Sequence, residues 1–200
     1  MATGPEVILV RHGETEWSRT GRHTSRTDLP LTGAGERQAR ELRFALAGRA
    51  YALVLSSPLV RARHTAELAG FGAAELIDDL RELEYGEYEG RTTPEIQQDV
   101  PGWSVWIGLL PGGETLDQAA VRADRVIERL RSAAATAGAV LVFGHGHFLR
   151  ILAARWCGLP PQTGAHLVLD AGSVSRLGYE RATPVIRTWN VTVGPAPDPR

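Results

Sequence analysis

Three short apolar runs, Glu6–His12 (EVILVRH), Tyr51–Ser57 (YALVLSS) and Ala139–Gly144 (AVLVFG), constrain the fold of this chain more than any other feature. They are rich in valine, leucine and isoleucine and lack polar alternation, so each reads as a buried strand. Helical patterns follow them. Thr32 suits the N-cap of a helix running to about Ala47, and Ser57-Pro58 has the cap-then-proline form of a helix start continuing through roughly Ala69. Thr93-Pro94-Glu95 opens a short helix by the same logic. Thr115 and Gln118 form a capping-box pair. The helix after them sets Leu116, Ala119, Ala120, Ala123, Val126, Ile127 and Leu130 on one stripe. The run at Ala139–Gly144 leads into a helix from about His147.

Between these elements, Arg19–Leu31 lacks a period and reads as an irregular loop. A short strand is expected near Leu76, and Leu80–Gly90 (LRELEYGEYEG) is polar, glycine-punctuated and loop-like. His166–Asp170 (HLVLD), Ser173–Glu180 (SVSRLGYE) and Val185–Asn190 (VIRTWN) read as closing strands. Strands alternating with helices imply an α/β fold: a three-layer α/β/α sandwich with a largely parallel central sheet. No repeat or long linker divides the chain, so residues 1–193 are expected to form a single domain. Residues 194–200 (GPAPDPR) read as a disordered tail.

Net charge is -1, so the chain offers no broad electrostatic footprint for nucleic acid and any anion site must be local. All 22 basic residues are arginine; every fixed cation is a guanidinium fork suited to phosphate oxygens. Cys157 is the only cysteine, which excludes an intrachain disulfide and fits a reducing cytosol. It lies in an apolar stretch and reads as a buried helix residue. The apolar run Val7–Val10 is too short for a signal peptide or a membrane span. A soluble cytoplasmic protein is expected, with no membrane or nucleic-acid partner.

Two strands end alike, one in Arg11-His12-Gly13 and the other in His145-Gly146-His147. In open α/β sheets the ligand crevice lies outside the carboxyl ends of the strands, which would bring His12 and His145 to one rim. Arg61 falls one turn into the helix after the second strand, at the same edge, where helix N-termini present amide groups to an anion. Singly, a histidine reads as structural and Arg11 as a surface ion-pair partner. Together they describe a phosphate site.

The blocks RHGET (Arg11–Thr15), SSPLVRARHTA (Ser56–Ala66), LRELEYGEYEG (Leu80–Gly90) and GHGHFLR (Gly144–Arg150) resemble the signatures of the histidine phosphatase superfamily, in its phosphoglycerate mutase-like branch. They occur in the family's order and together span nearly the whole chain. TDLPLT (Thr27–Thr32) and the tryptophans Trp103 and Trp106 before GGET add to the similarity. The resemblance implies a phosphoglycerate mutase-like fold and assigns roles. His12 is the nucleophile that becomes phosphohistidine. Arg11 and Arg61 hold the phosphoryl oxygens, His145 is the second pocket histidine, and Glu82 is the proton donor. Gly13, Ser18, Thr24, Tyr85 and Gly146 complete the implied substrate site. Family members commonly carry asparagine at the position of Ser18.

The chemistry fits these roles. Like charge from Arg11 and Arg61 disfavours protonation of His12, which must attack as neutral imidazole. The same cations offset charge on the equatorial oxygens. A sugar or alcohol leaving group needs a proton from a carboxylic acid, a contribution of ~100- to 10,000-fold.

Among the neighbours, Glu14 suits pocket ordering, Glu84 and Glu87 a solvated face, and His64 and His166 the surface or a structural role. His23 is expected at the pocket mouth, and Trp17, Trp103 and Trp106 at a substrate cleft or in aromatic packing. His147 beside His145 suggests a metal pair, yet zinc needs further ligands that the sequence does not nominate; no metal or other cofactor is expected. The expected activity is metal-independent hydrolysis of a small phosphorylated metabolite, best a sugar phosphate. True mutases of the family carry an arginine- and lysine-bearing insertion, whereas Arg91–Gly113 has one basic residue. Phosphoglycerate mutase and an inactive phospho-ligand-binding protein are the alternatives, and a homodimer is left open.

Overall fold

The apolar runs become β1 (Val7–Arg11), β2 (Tyr51–Ser56), and, after the two-residue β3 (Glu75–Leu76), β4 (Ala139–Gly144). The computed structural model describes residues 6–133 and 138–193; the expected tail at 194–200 lies outside the described residues. Two closing strands, β5 (Ser173–Glu180) and β6 (Thr183–Thr192), complete a six-stranded sheet of order β3-β2-β4-β1-β5-β6. The first four in that order run parallel, while β5 and β6 are antiparallel additions on one side.

Alternate residues of the central strands feed two separate cores, as a strand's two-residue period requires. Val7, Leu9, Val140 and Val142 pack with the buried stripe of α5 (Leu116–Ala133) and with α6 (Gly146–Trp156). Ile8, Val10, Leu141 and Phe143 pack on the other face against Leu42 and Leu46 of α2 (Gly33–Leu46) and Ala66 of α3 (Val60–Leu68). The result is the expected three-layer α/β/α sandwich. The Thr32 and Thr115 caps form as read: Thr32 Oγ1 accepts from Gly35 N–H at 3.1 Å, and Thr115 and Gln118 exchange both capping-box bonds.

Several expectations need correction. A five-residue helix, α1 (Glu16–Thr20), enters the segment read as loop, capped by a reciprocal Thr15–Ser18 box. Helix α3 begins two residues beyond the Ser57-Pro58 signal, with Leu59 at its N-cap and no side-chain cap bond there. The cap of α4 (Thr93–Asp99) is Thr92, paired with Glu95, rather than Thr93. His166–Asp170 is no strand: a 3-10 turn over Pro161–His166 runs into extended chain with no sheet partner. Cys157 follows the last residue of α6 and is only partly buried.

Candidate active site

Parallel pairing of β1 with β4 sets Arg11 opposite Gly144, and His12 N–H donates to Gly144 O at 3.0 Å. On the other side of β4, Ser57 N–H donates to Phe143 O at 3.0 Å. Three adjacent strand ends therefore deliver His12, His145 and Ser57 to one rim, with the two imidazole centroids 5.1 Å apart. The turn after His12 packs backbone against backbone on the start of α2. A Cβ on Gly13 would fall 2.4 Å from Gly35 O, so this approach requires glycine. Gly13 N–H also donates to Thr65 Oγ1 at 3.0 Å, tying the turn to α3.

Hydrogen bonding assigns the two imidazoles opposite tautomers. His12 Nδ1 lies 2.7 Å from Gly13 O; a carbonyl only accepts, so Nδ1 carries the hydrogen and Nε2 keeps its lone pair. His145 Nδ1 accepts from Arg61 Nε–H at 3.2 Å, so its Nε2–H donates to Ser57 Oγ at 2.7 Å. Burial, then the charges of Arg61 and Arg11, hold His12 well below the ordinary imidazole value of 6.5. His145 is lowered by burial first, then by Arg61, His12 and Arg11. Both rings are therefore neutral at physiological pH.

Arg61 is 1% exposed. Besides His145 it donates to the carbonyls of Thr24, Ser25 and Thr27 at 3.1–3.3 Å, so it pins the irregular loop to α3. Glu89 pins the same loop from the other side, accepting from the backbone N–H groups of Ser25 and Thr27. Arg11 donates to Leu169 O, and its guanidinium lies over Gly146, where a Cβ would come 3.4 Å from Cζ.

A cavity of about 310 Å³ opens at this rim, within the usual range for small-molecule sites. Of the expected residues, Arg11, His12, Ser18, Thr24, Glu82, Tyr85 and Gly146 line it. Gly13, Arg61 and His145 stand behind that wall. Ser18 lines it while its hydroxyl is held by Thr15. Glu82 is buried at the N-terminus of α6: Oε1 accepts from Leu83 and Phe148 N–H, and Oε2 from His147 N–H. These three bonds fix the carboxyl plane. Glu14, as expected of an ordering residue, accepts from Thr32 Oγ1 at 2.7 Å.

Trp106, His23 and His147 also line the cavity. Trp103 is packed in the core with its Nε1–H on Leu109 O, and Trp17 covers Gly90. His147 Nδ1 lies 2.7 Å from the Tyr85 hydroxyl, a partner that the sequence does not nominate. Burial, then Arg150, His23 and Arg11, lower His147 well below the ordinary value, and burial takes His23 to about 4. Among the described residues no group of three or more histidine, cysteine, aspartate or glutamate side chains is placed to hold a metal ion. The sequence missed Ser57 as the partner of His145 and Glu89 as the anchor of the loop. Both lie inside the resembling blocks, but only tertiary contact reveals their bonds.

Known proteins resemble this chain in sequence and in fold. A model of the histidine phosphatase superfamily (branch 1) matches residues 7–192. The chain is 38% identical to an acid phosphatase of Mycobacterium tuberculosis, over 96% of this chain and 95% of that one. It is 37% identical to sedoheptulose 1,7-bisphosphatase of Saccharomyces cerevisiae, over 85% and 74% of the two chains. The solved structure of the open reading frame Rv3214 from Mycobacterium tuberculosis superposes with a TM-score of 0.91 at 35% identity, covering 95% of this chain and 99% of that one.

Proposed function

The chain belongs to the histidine phosphatase superfamily and is a phosphoric monoester hydrolase, and on that premise we propose that it hydrolyses a small sugar phosphate through a phosphohistidine at His12. The observation that carries this is the fixed tautomer of His12, whose Nε2 lone pair belongs to a cavity wall shared with Arg11 and Glu82. Nε2 attacks phosphorus as the bond to the leaving oxygen breaks. That oxygen takes a proton from Glu82. Both lone-pair sites of Oε1 are filled by backbone donors, whereas Oε2 accepts only one, so Oε2 is the atom that carries the proton. Water then attacks the phosphohistidine while Glu82 takes its proton, releasing inorganic phosphate and restoring His12.

Arg11 offsets the charge on the transferring oxygens from the cavity wall. Arg61 and His145 act from behind it, keeping His12 neutral and the Thr24–Thr27 backbone in place. A sugar phosphate suits a small cavity with hydroxyl, imidazole and guanidinium linings. The single basic residue in Arg91–Gly113 favours hydrolysis over mutase action. The test is phosphate release from p-nitrophenyl phosphate across pH, with and without chelator. Because His12 in the free enzyme is lowered below 6.5, the acid limb of kcat/KM is expected below pH 6.5, and chelator is expected to change nothing. Isomerisation of 3-phosphoglycerate with little hydrolysis would instead identify a mutase, and no turnover a binding protein.

A further inference from the structure

Arg150 lies in the second turn of α6 and lines the same cavity. Its guanidinium is built into place. Nε donates to Gly164 O at 2.9 Å and Nη2 to Ala165 O at 3.3 Å, while Cζ stands 4.4 Å from the Trp106 ring centroid. The 3-10 turn over Pro161–His166 closes on Trp106 so tightly that a Cβ on Gly164 would lie 2.7 Å from the indole. Trp106 in turn packs on His147, centroid to centroid 5.3 Å. This is a rigid wall with a guanidinium fastened to it.

Among the described residues that cation has no ion-pair partner, whereas Arg22, another cavity arginine, has Glu95 at 3.8 Å. Nη1 of Arg150 has no hydrogen-bond partner among the described residues. Burial, and then the like charge of Arg11, lower Arg150 to about 10. A partly desolvated, pre-oriented guanidinium with an open edge is suited to a carboxylate or phosphate oxygen, and its ring contact and backbone bonds remove the entropy cost of fixing it. The phosphoryl group being transferred is already served by Arg11.

We infer that Arg150, clamped on Trp106, is a specificity residue that holds a second anionic group on the leaving portion of the substrate. The preferred sugar-like substrate then bears a further phosphate or a carboxylate. This rests on the hydrolysis proposed above, which the same experiment tests separately. Steady-state kcat/KM is measured for fructose 1,6-bisphosphate, 3-phosphoglycerate and fructose 6-phosphate with wild type, Arg150→Gln and Arg150→Lys. Wild type should favour at least one of the first two over fructose 6-phosphate by about tenfold or more. A preference for the bisphosphate identifies phosphate as the second group, and one for 3-phosphoglycerate identifies carboxylate. Arg150→Gln should shrink the preference about 10- to 100-fold, chiefly through KM. Arg150→Lys, which keeps the charge without the fork, should retain part of it and guards against a Gln variant that fails to fold. Equal wild-type efficiencies, or a preference that survives in Arg150→Gln, would overturn the inference and leave the phosphatase standing. Absence of phosphate release from every probe would remove both.

Discussion

His12→Gln is expected to lower phosphate release by a factor on the order of 10,000 or more while leaving the fold intact. Glutamine approximates the ring's volume and has a group able to bond Gly13 O, as His12 Nδ1 does. Its amide nitrogen has no lone pair available for attack on phosphorus. What is left is direct attack by water, helped by Arg11 and Glu82, and that residue of catalysis should be small but measurable. Steady-state assays at high enzyme concentration, beside a thermal melt, provide the check. Activity within about tenfold of wild type would mean that another group, or water alone, makes the first bond.

The second large effect is expected at Arg61, and it appears in stability before activity. Arg61→Met keeps most of the buried volume but removes the donors to Thr24 O, Ser25 O, Thr27 O and His145 Nδ1. A buried polar group left without a partner costs about 1–3 kcal/mol; since water reaches some of these carbonyls, a total of about 3 kcal/mol is reasonable. In a chain of this size that corresponds to a melting temperature lower by about 10 °C. The surviving folded enzyme should also show its acid limb at higher pH. Arg61 is the largest of the charges that depress His12, so its removal lets the imidazole protonate sooner as pH falls. A melt within about 2 °C of wild type, with an unmoved acid limb, would show that Arg61 neither anchors the loop nor tunes the nucleophile.

Strands β1 and β4 are legible in the sequence because their side chains are buried on both faces, which leaves an uninterrupted apolar run. The convergence of His12 and His145 followed from the rule for strand ends, although nothing local says that β4 lies between β1 and β2. Helix α1 escaped because five residues with no buried side chain carry no period. Ser57 looked like a helix cap, and its hydroxyl does accept from Leu59 N–H at 3.3 Å, but the bond to His145 across the sheet is shorter. His166–Asp170 imitates a strand by alternation, yet Val168 is 65% exposed and Leu169 O serves Arg11. The sequence motifs point to Arg61 and Glu82 as groups that meet substrate, and Glu82 does line the cavity, but each also has a structural duty that the motifs do not show. In the folded chain Arg61 fastens a loop and Glu82 caps α6, roles that depend on backbone groups no residue pattern reveals.

The central claim is that His12 Nε2 bonds to phosphorus during turnover. Rapid alkaline quench of the enzyme with radiolabelled phosphate ester, followed by peptide mapping, measures it directly. The account predicts label on the peptide containing residue 12, stable in base, lost in acid and absent from His12→Gln. Label on a serine, or none at any quench time while phosphate is being released, would contradict it.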